Sequence, residues 1–450
     1  MKELHEKLKN NSEAYAKWHD YKHQQLIQWL ILILVMTVIS LLLIDRANKG
    51  SYGLQSEAGK PGGGVTIPPL ALNLVFTHTE AAADAAAAAA QTPPYSTTVG
   101  IIRTIKDFNG KLYFGYGDYG LSQYVGWGSD LGGGVAIRSY DPVTGTSTRE
   151  FTENHVSQIS RYMTIGNRLY AGSVEDEGGG SDASPEFAYR STNSSVWTGG
   201  NSPALFIHMF DIASLNGQDL WLFGGTYPYD GVVALAGGSA IHSPDGGTTW
   251  ESRESATYLN TTDSTPSIYP RLYFGAAYNG KLYTQNPAAT HSNIYDPAIG
   301  SWTTGPDMLP DAGSGKYPRY GYGSHPLEFA GKLLYGANPA GSDGFDRLLS
   351  FDGSRVTDGL RLITRQFSSA ADLQIYNGYL YALVTGSSGY AIVRTLDLAH
   401  WESVGRLAIT ITNWPDLPYS FRILNDIIYI GFGNSKVYSA QMPSSFVPLN

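Results

Sequence analysis

At 450 residues the chain exceeds what one hydrophobic core usually serves, so two or more regions are expected. Charged residues make up 15%, against an ordinary share of about 25%, while Gly (52), Tyr (31) and Trp (9) are plentiful, which describes many short strands and turns. The net charge of −9, with no basic stripe, excludes nucleic acid as a partner, and the lack of Cys excludes disulfides and thiolate metal centres.

Residues 1–23 predict a helical stub, with Leu4, Leu8, Tyr15 and Trp18 near one face. That face suits self-association with another copy, a position on the membrane surface, or a simple solvated amphipathic helix. From Gln24 to Ile44 runs "QQLIQWLILILVMTVISLLLI", free of charge. As a helix it spans about 31 Å, the thickness of a hydrocarbon core. It therefore predicts one transmembrane signal-anchor helix. The following "DRANKG" offers no small-residue cleavage site. Lys2, Lys7, Lys9, Lys17 and Lys22 precede the span, and only Arg46, Lys49 and Lys60 follow it closely. That balance predicts a single-pass protein of the cell membrane, with a cytoplasmic N-terminus and an extracytoplasmic C-terminal region.

Residues 45–97 predict a spacer. "GKPGGG", "IPPL" and "TPPY" break structure, and "AAADAAAAAA" from Ala81 is a strong helix former between them. The expectation is a short helix on flexible joints, holding residues 98–450 away from the bilayer.

Within 98–450 one pattern recurs seven times: a turn, then aliphatic residues, then an aromatic, often with Gly after it. Examples are "NGKLYFG" from Asn109, "GNRLYAG" from Gly166 and "NDIIYIGFG" from Asn425. Asn-Gly supplies the positive φ angles of a tight hairpin, and the alternation behind it suits a half-buried strand. The marker aromatics are Tyr113, Tyr170, Trp221, Tyr283, Tyr335, Tyr381 and Tyr429, at steps of 57, 51, 62, 52, 46 and 48 residues. Periods near 50 belong to four-stranded propeller blades. The fold class predicted is all-β, a seven-bladed β-propeller (six or eight blades remaining open), preceded by the transmembrane helix.

Two further motifs carry a family resemblance. "SYDPVTGTS" at Ser139, "IYDPAIGSW" at Ile294 and "SFDGSRV" at Ser350 resemble the second signature of kelch repeats. "SPDGGTTW", with Ser243, Asp245, Gly247, Thr249 and Trp250, resembles the Asp-box (BNR) repeat of sialidase-like propellers; "STNSSVW" at Ser191 and "TLDLAHW" at Thr395 are shortened relatives. The resemblance implies a hairpin between the outer two strands of a blade, far from the axis. It implies a propeller and does not by itself imply a sialidase.

Basic residues precede most of the markers: Arg103, Arg161, His208, Arg271, Arg319, Arg365 and Arg422. If each lay on an innermost strand they would converge on one axial funnel and favour an anionic ligand, an acidic sugar or a carboxylate side chain. Tyr269 and Tyr317, in twin "YPR" runs, would add aromatic faces for a sugar ring. The competing assignment has these residues bridging strands or pairing with nearby carboxylates. Glu is scarce here, and Glu251 and Glu402 directly follow a Trp on outer strands, which disfavours a glycosidase. A copper oxidase of the galactose-oxidase type would need a Tyr–Cys cross-link that this chain cannot make. No catalytic residue is assigned. No metal or cofactor is expected; Glu175, Asp176 and Asp182 in "VEDEGGGSD" are the candidate Ca2+ donors, without EF-hand spacing. The leading expectation is a membrane-tethered module that binds or displays a protein or surface glycan. Its alternatives are a glycan hydrolase or lyase and a structural subunit of a surface layer or filament.

Overall fold

The computed structural model describes residues 66–90, 99–117, 134–153, 156–176, 187–201, 206–226, 237–251, 257–259, 272, 274–285, 291–308, 326–337, 347–358, 367–386, 389–409 and 416–449. Ile67–Asn450 forms one compact unit. The stub and the span expected over 24–44 lie outside the described residues. Among the described residues no helix is long and apolar enough to cross a membrane.

Ile67–Asn450 is a seven-bladed β-propeller. Blades 1 to 6 are antiparallel meanders of four consecutive strands. Blade 1 is Ile102–Phe108, Lys111–Tyr116, Val135–Asp141 and Thr146–Glu153. Blade 2 is Val156–Ile165, Arg168–Asp176, Phe187–Ser191 and Thr198–Gly200; blade 3 is Phe206–Ala213, Leu220–Thr226, Gly237–Ser243 and Thr257–Leu259. Blade 4 is Ala276–Tyr278, Lys281–Thr284, Asn293–Asp296 and Ser301–Thr304; blade 5 is Leu327–Phe329, Lys332–Ala337, Arg347–Phe351 and Val356–Asp358. Blade 6 is Phe367–Tyr376, Tyr379–Gly386, Gly389–Thr395 and Trp401–Leu407. The first strands of blades 6, 7, 1, 2 and 3 pack on one another in turn and form the inner side of the ring.

Blade 7 breaks the rule. Pro418–Leu424, Ile427–Phe432 and Lys436–Gln441 are consecutive, but the fourth strand is Asn73–Thr77, from before blade 1. It pairs antiparallel with Lys436–Gln441, Asn73 opposite Ser439 and Thr77 opposite Lys436. Just upstream, Pro69–Leu70 runs parallel to Trp401–Leu407 of blade 6, while Val447–Pro448 pairs antiparallel with that same strand. Both ends of the unit are thus sewn into outer edges.

The Ala-rich run forms the expected helix, Thr79–Ala89, but it is docked rather than flexibly jointed. His78 caps it, Nδ1 accepting from Ala81 N–H at 3.3 Å, while the His78 N–H donates to Ser435 O at 2.7 Å. Burial holds the imidazole pKa down to about 3, so the cap is neutral and able to accept. Arg138 of blade 1 grips Glu80 through Nε (2.9 Å) and a second guanidinium nitrogen (2.8 Å), and Tyr116 donates to Asp84 at 2.7 Å. Ala81 and Ala88, seven residues apart on one face, are fully buried. Residues 67–89 therefore belong to the propeller unit, not to the spacer expected over 45–97. Alanine favours a helix wherever it stands, and the composition holds no sign of the docking contacts.

All seven marker aromatics lie on second strands and all are buried. Those strands are more enclosed than the half-buried strands expected: Lys111–Tyr116 and Ile427–Phe432 are buried on both faces after their first residue. The second strands of blades 7, 1 and 2 pack against the first strand of the next blade. A buried side chain of this size contributes about 1.5–3 kcal/mol. The Gly two residues after a marker serves close approach, since a Cβ on Gly115 would meet Ile159 O at 2.6 Å and one on Gly431 would meet Ile102 Cγ2 at 2.6 Å.

Closure by Asn73–Thr77 makes a direct prediction. A fragment of residues 67–450 should unfold in one cooperative thermal transition. A fragment of residues 98–450 lacks the fourth strand of blade 7 and the docked helix, and should melt at least 10 °C lower or aggregate. Equal melting points for the two fragments would show that the strand is dispensable.

Candidate functional site

The strand order divides the propeller into two unlike ends. First-to-second and third-to-fourth connections lie at one end and are short in most blades, the third-to-fourth connection of blade 3, over 244–256, being the longest of them. Asn109–Gly110 is representative of the former, with φ of 51° and 76°, the left-handed values of a two-residue hairpin. At the other end, second strands lead to third strands and fourth strands to the next blade. The longer connecting segments, among them 118–133, 227–236, 260–271 and 309–325, belong there and lie outside the described residues.

"SPDGGTTW" forms the third-to-fourth turn of blade 3. Asp245 Oδ1 accepts from the Thr248 and Thr249 N–H groups at 3.0 and 2.7 Å, and its Oδ2 accepts from Thr249 Oγ1 at 2.8 Å. Ser243 Oγ donates to Asp245 at 3.0 Å and accepts from Gly247 N–H at 2.7 Å. Gly247 takes a φ of 91°, and Trp250 packs against Phe187 of blade 2. The Gly246 carbonyl accepts from the marker Tyr170 of blade 2 at 2.8 Å, so the turn is also a docking point for the preceding blade.

The same position in other blades holds Asp141, Asp296, Asp352 and Asp397, each accepting backbone N–H bonds two or three residues on. All five carboxyls are held below their usual range. Backbone N–H donors lead at Asp141, Asp245 and Asp352, Lys281 leads at Asp296 and His400 at Asp397. At Asp352 the pKa falls to about 2. These motifs are turn chemistry on the outer strands.

The basic residues expected to form a ring sit at different heights. Arg422 lies opposite its marker, Tyr429. Arg161 is opposite Gly172, two residues beyond the marker, and Arg103 occupies a bulge between Ile102 and Thr104. Arg103 and Arg161 are buried. Arg103 Nε donates to the Gly117 carbonyl, Arg161 pairs with Asp211 of blade 3, and Arg422 Nε donates to Asp107 of blade 1 at 2.6 Å. His208 lies on the first strand of blade 3, opposite Gly225. Tyr269, Arg271, Tyr317, Arg319 and Arg365 lie outside the described residues. By position in the chain these five fall in connections that lead into the first strands of blades 4, 5 and 6.

What the inner strands do with their polar groups is latch one blade to the next. Asp211 accepts from the Ile212 N–H (2.8 Å) and from Gly275 N–H of blade 4 (2.9 Å). Asp372 accepts from Leu373 N–H (2.8 Å) and from Phe421 N–H of blade 7 (2.9 Å). Gln374 pairs its amide with both backbone groups of Ile423, and Ser420 donates to the Ile102 carbonyl at 2.7 Å. Burial pushes the Asp372 carboxyl well up, against the pull of those N–H donors. None of Lys106, Asp107, Asp211, Asp372 and Gln374 stood out in the sequence. The available signal was an acid inside an apolar run, "FDIA" and "ADLQ", about ten residues before a marker.

The two carboxylates assigned to outer strands are engaged there. Glu251 Oε1 is 2.7 Å from Nδ1 of His242, which stacks on Trp221 at 4.3 Å, and Glu402 accepts from Arg394 Nε at 2.8 Å. Among the described residues no group of three His, Asp or Glu could hold a metal ion. Of the Ca2+ candidates, Asp182 lies outside the described residues, and Glu175 and Asp176 end the second strand of blade 2.

Two predictions follow from these contacts. Asp211→Ala removes the carboxylate paired with the buried Arg161 and the acceptor of two backbone N–H groups, and should cost about 3–5 kcal/mol, read as a lower urea midpoint; an unchanged midpoint would remove the latch role. The turn carboxylates have pKa values depressed on folding, so their stabilisation is full above the unfolded value of about 4. It should be lost as pH falls from there to about 2, the value at Asp352. Asp352→Asn should flatten that part of a melting-temperature profile.

No family model and no curated protein matches the sequence. Solved structures that resemble it include a catalytically inactive virginiamycin B lyase from Staphylococcus aureus with quinupristin, at 10% identity and a TM-score of 0.46, covering 76% of this chain and 94% of that one. A streptogramin B lyase gives 12% identity and a TM-score of 0.44 over 77% of this chain and 95% of that one. BamB from Moraxella catarrhalis gives 11% and 0.38 over 76% and 85%. The likeness is one of fold alone.

Proposed function

We propose that this chain is a binding and display module, a propeller whose ligand surface is the end that carries the long connections. One observation supports the reading: latches to the next blade engage polar side chains of the inner strands, while four of the longer connections, 118–133, 227–236, 260–271 and 309–325, by chain order join strands at one end. Surfaces built from several loops on a rigid scaffold are where recognition concentrates. The twin "YPR" runs, Tyr269–Arg271 and Tyr317–Arg319, fall in two of those connections. They offer aromatic faces and guanidinium groups suited to an acidic glycan or a carboxylate-rich protein.

In the same proposal the unit is tethered. Residues 24–44 anchor it to the cell membrane, residues 1–23 stay cytoplasmic, and the kelch and Asp-box turns are repeats of the scaffold. The spacer is shorter than 45–97, because the propeller unit takes up the chain from Ile67.

The test is a panel of acidic and neutral glycans presented to residues 67–450, scoring both retention and mass change. Retention of acidic glycans is expected, weakened about tenfold or about 1.4 kcal/mol by Arg271→Ala or Arg319→Ala. Released sugar would favour a hydrolase or lyase on the same scaffold. Neither retention nor release would overturn the glycan reading and leave a protein ligand or an assembly role.

A further inference from the structure

The aliphatic side chains left outside the core are not scattered. Among the described residues six large ones are exposed: Leu74, Val143, Val196, Ile299, Ile375 and Leu396. Val143, Val196, Ile299 and Leu396 all stand in third-to-fourth connections, those of blades 1, 2, 4 and 6, with exposures from 59% at Leu396 to 86% at Val143. Ile375 lies two residues before the Asn377–Gly378 hairpin of blade 6. Strand order puts these five at the turn end of the propeller; Leu74 is on the fourth strand of blade 7. A single exposed aliphatic is ordinary, but one in the same connection of four blades is a pattern.

The charges beside these tips are already paired. Asp141, Asp296 and Asp397 accept backbone N–H groups within their own turns, Lys281 pairs with Asp296 at 2.8 Å and His400 Nδ1 lies 2.7 Å from Asp397. Apolar tips among satisfied charges suit a neutral phospholipid surface. The path of the chain points to the same occupant. Pro69–Leu70 runs parallel to Trp401–Leu407, a fourth strand that leads away from the turn end. The chain therefore reaches Pro69 from the turn end. Ile67 joins the buried cluster that includes Leu398 and Trp401, in and just after the turn that carries Leu396. Between Ile44, where the apolar run ends, and Ile67 lie 22 residues, six of them Gly. A Gly-rich chain of that length has an end-to-end distance of about 26 Å.

We propose that the turn end is the membrane-facing side of the propeller, where Val143, Val196, Ile299 and Leu396 rest in the interfacial layer of a neutral phospholipid bilayer. The inference rests on the proposed tether and adds an orientation to it. With the turn end against the lipid, the long connections face away from the bilayer and stay open to a ligand. Separate aliphatic tips give a weak and reversible contact, which a short tether converts into a standing one.

The chain has no Cys, so one introduced thiol is a unique labelling site. The experiment places an environment-sensitive fluorophore on Val143→Cys, Ile299→Cys or Leu396→Cys in the full chain. Controls are Thr304→Cys and Ala408→Cys, exposed positions where the fourth strands of blades 4 and 6 end, away from the turns. Each is reconstituted into phosphatidylcholine vesicles that carry a nitroxide-labelled lipid. The chain should float with the vesicles after an alkaline wash, and the turn probes should be quenched at least threefold more than the controls. A floating chain whose turn and control probes are quenched alike would overturn the orientation and leave the tether. A chain that does not float would overturn both. Turn probes that respond only as the protein-to-lipid ratio rises, without quenching, would replace the lipid by a second copy of the chain. Should a Cys variant fail to fold, hydrogen exchange on the parent decides. Amides of 141–146, 296–301 and 395–400 should exchange at least twofold more slowly in vesicles than in the same chain carrying Val143→Ser, Ile299→Ser and Leu396→Ser; equal rates would overturn the contact.

Discussion

A ring of sheets has to close, and in this protein closure rests on the antiparallel pairing of Asn73–Thr77 with Lys436–Gln441. Every other blade is local in sequence, built from hairpins that can form as the chain is made. Blade 7 joins residues more than 350 positions apart, with the loop-closure entropy that such separation costs. The contacts around it are correspondingly dense. His78 caps the helix and bonds to Ser435, Phe76 stacks on Tyr140 at 5.4 Å, and the helix is clamped by Arg138. Pro69–Leu70 and Val447–Pro448 then fasten both approaches to blade 6. The ring holds because its seam is reinforced on either side.

Closure also governs what the inner strands can do. Seven wedge-shaped sheets meet at the axis, where buried polar backbone would otherwise go unpaired. Asp211, Asp372, Gln374 and Ser420 each reach across to backbone of the next blade, and Arg161 and Arg422 reach to its acids. A basic residue on an inner strand is therefore first a structural element. That is the competing assignment weighed in the sequence, in which a recurrent Arg near each marker bridges strands or pairs with nearby carboxylates. At the described positions the nearer explanation is that guanidinium groups are long enough to span two blades and always charged.

Much of the architecture was legible because its signals are local. Asn-Gly before an aliphatic–aromatic run marks a two-residue hairpin at Asn109, Asn279 and Asn377, and a period near 50 residues counts the blades. The Ser243–Trp250 turn was legible for the same reason, since Asp245 bonds within its own four residues. What could not be read were relations between distant segments. Nothing in "NLVFT" announces that it completes a sheet with residues near the far end of the chain, so the propeller was started about thirty residues too late. Nor does the spacing of Arg103, Arg161 and Arg422 reveal a bulge, and one extra residue moves a side chain to a different height and face. The Asp in "FDIA" and in "ADLQ" was passed over because an acid inside an apolar run is noticeable only once its partner blade is known.

Lys106 is the exception in the same geometry, lying opposite its marker aromatic as Gln374 and Arg422 do. With the latches counted, most polar inner-strand residues have an assignment across the next blade interface, and the pattern says what each position should meet. Gln374 and Arg422 fit it; Lys106, at the same height, faces a blade that offers a threonine where blade 1 offers Asp107. A repeat architecture makes such exceptions informative, because five sister positions show what structure alone requires. The ring-closing constraint thus accounts for the polar inner-strand residues that reach the next blade.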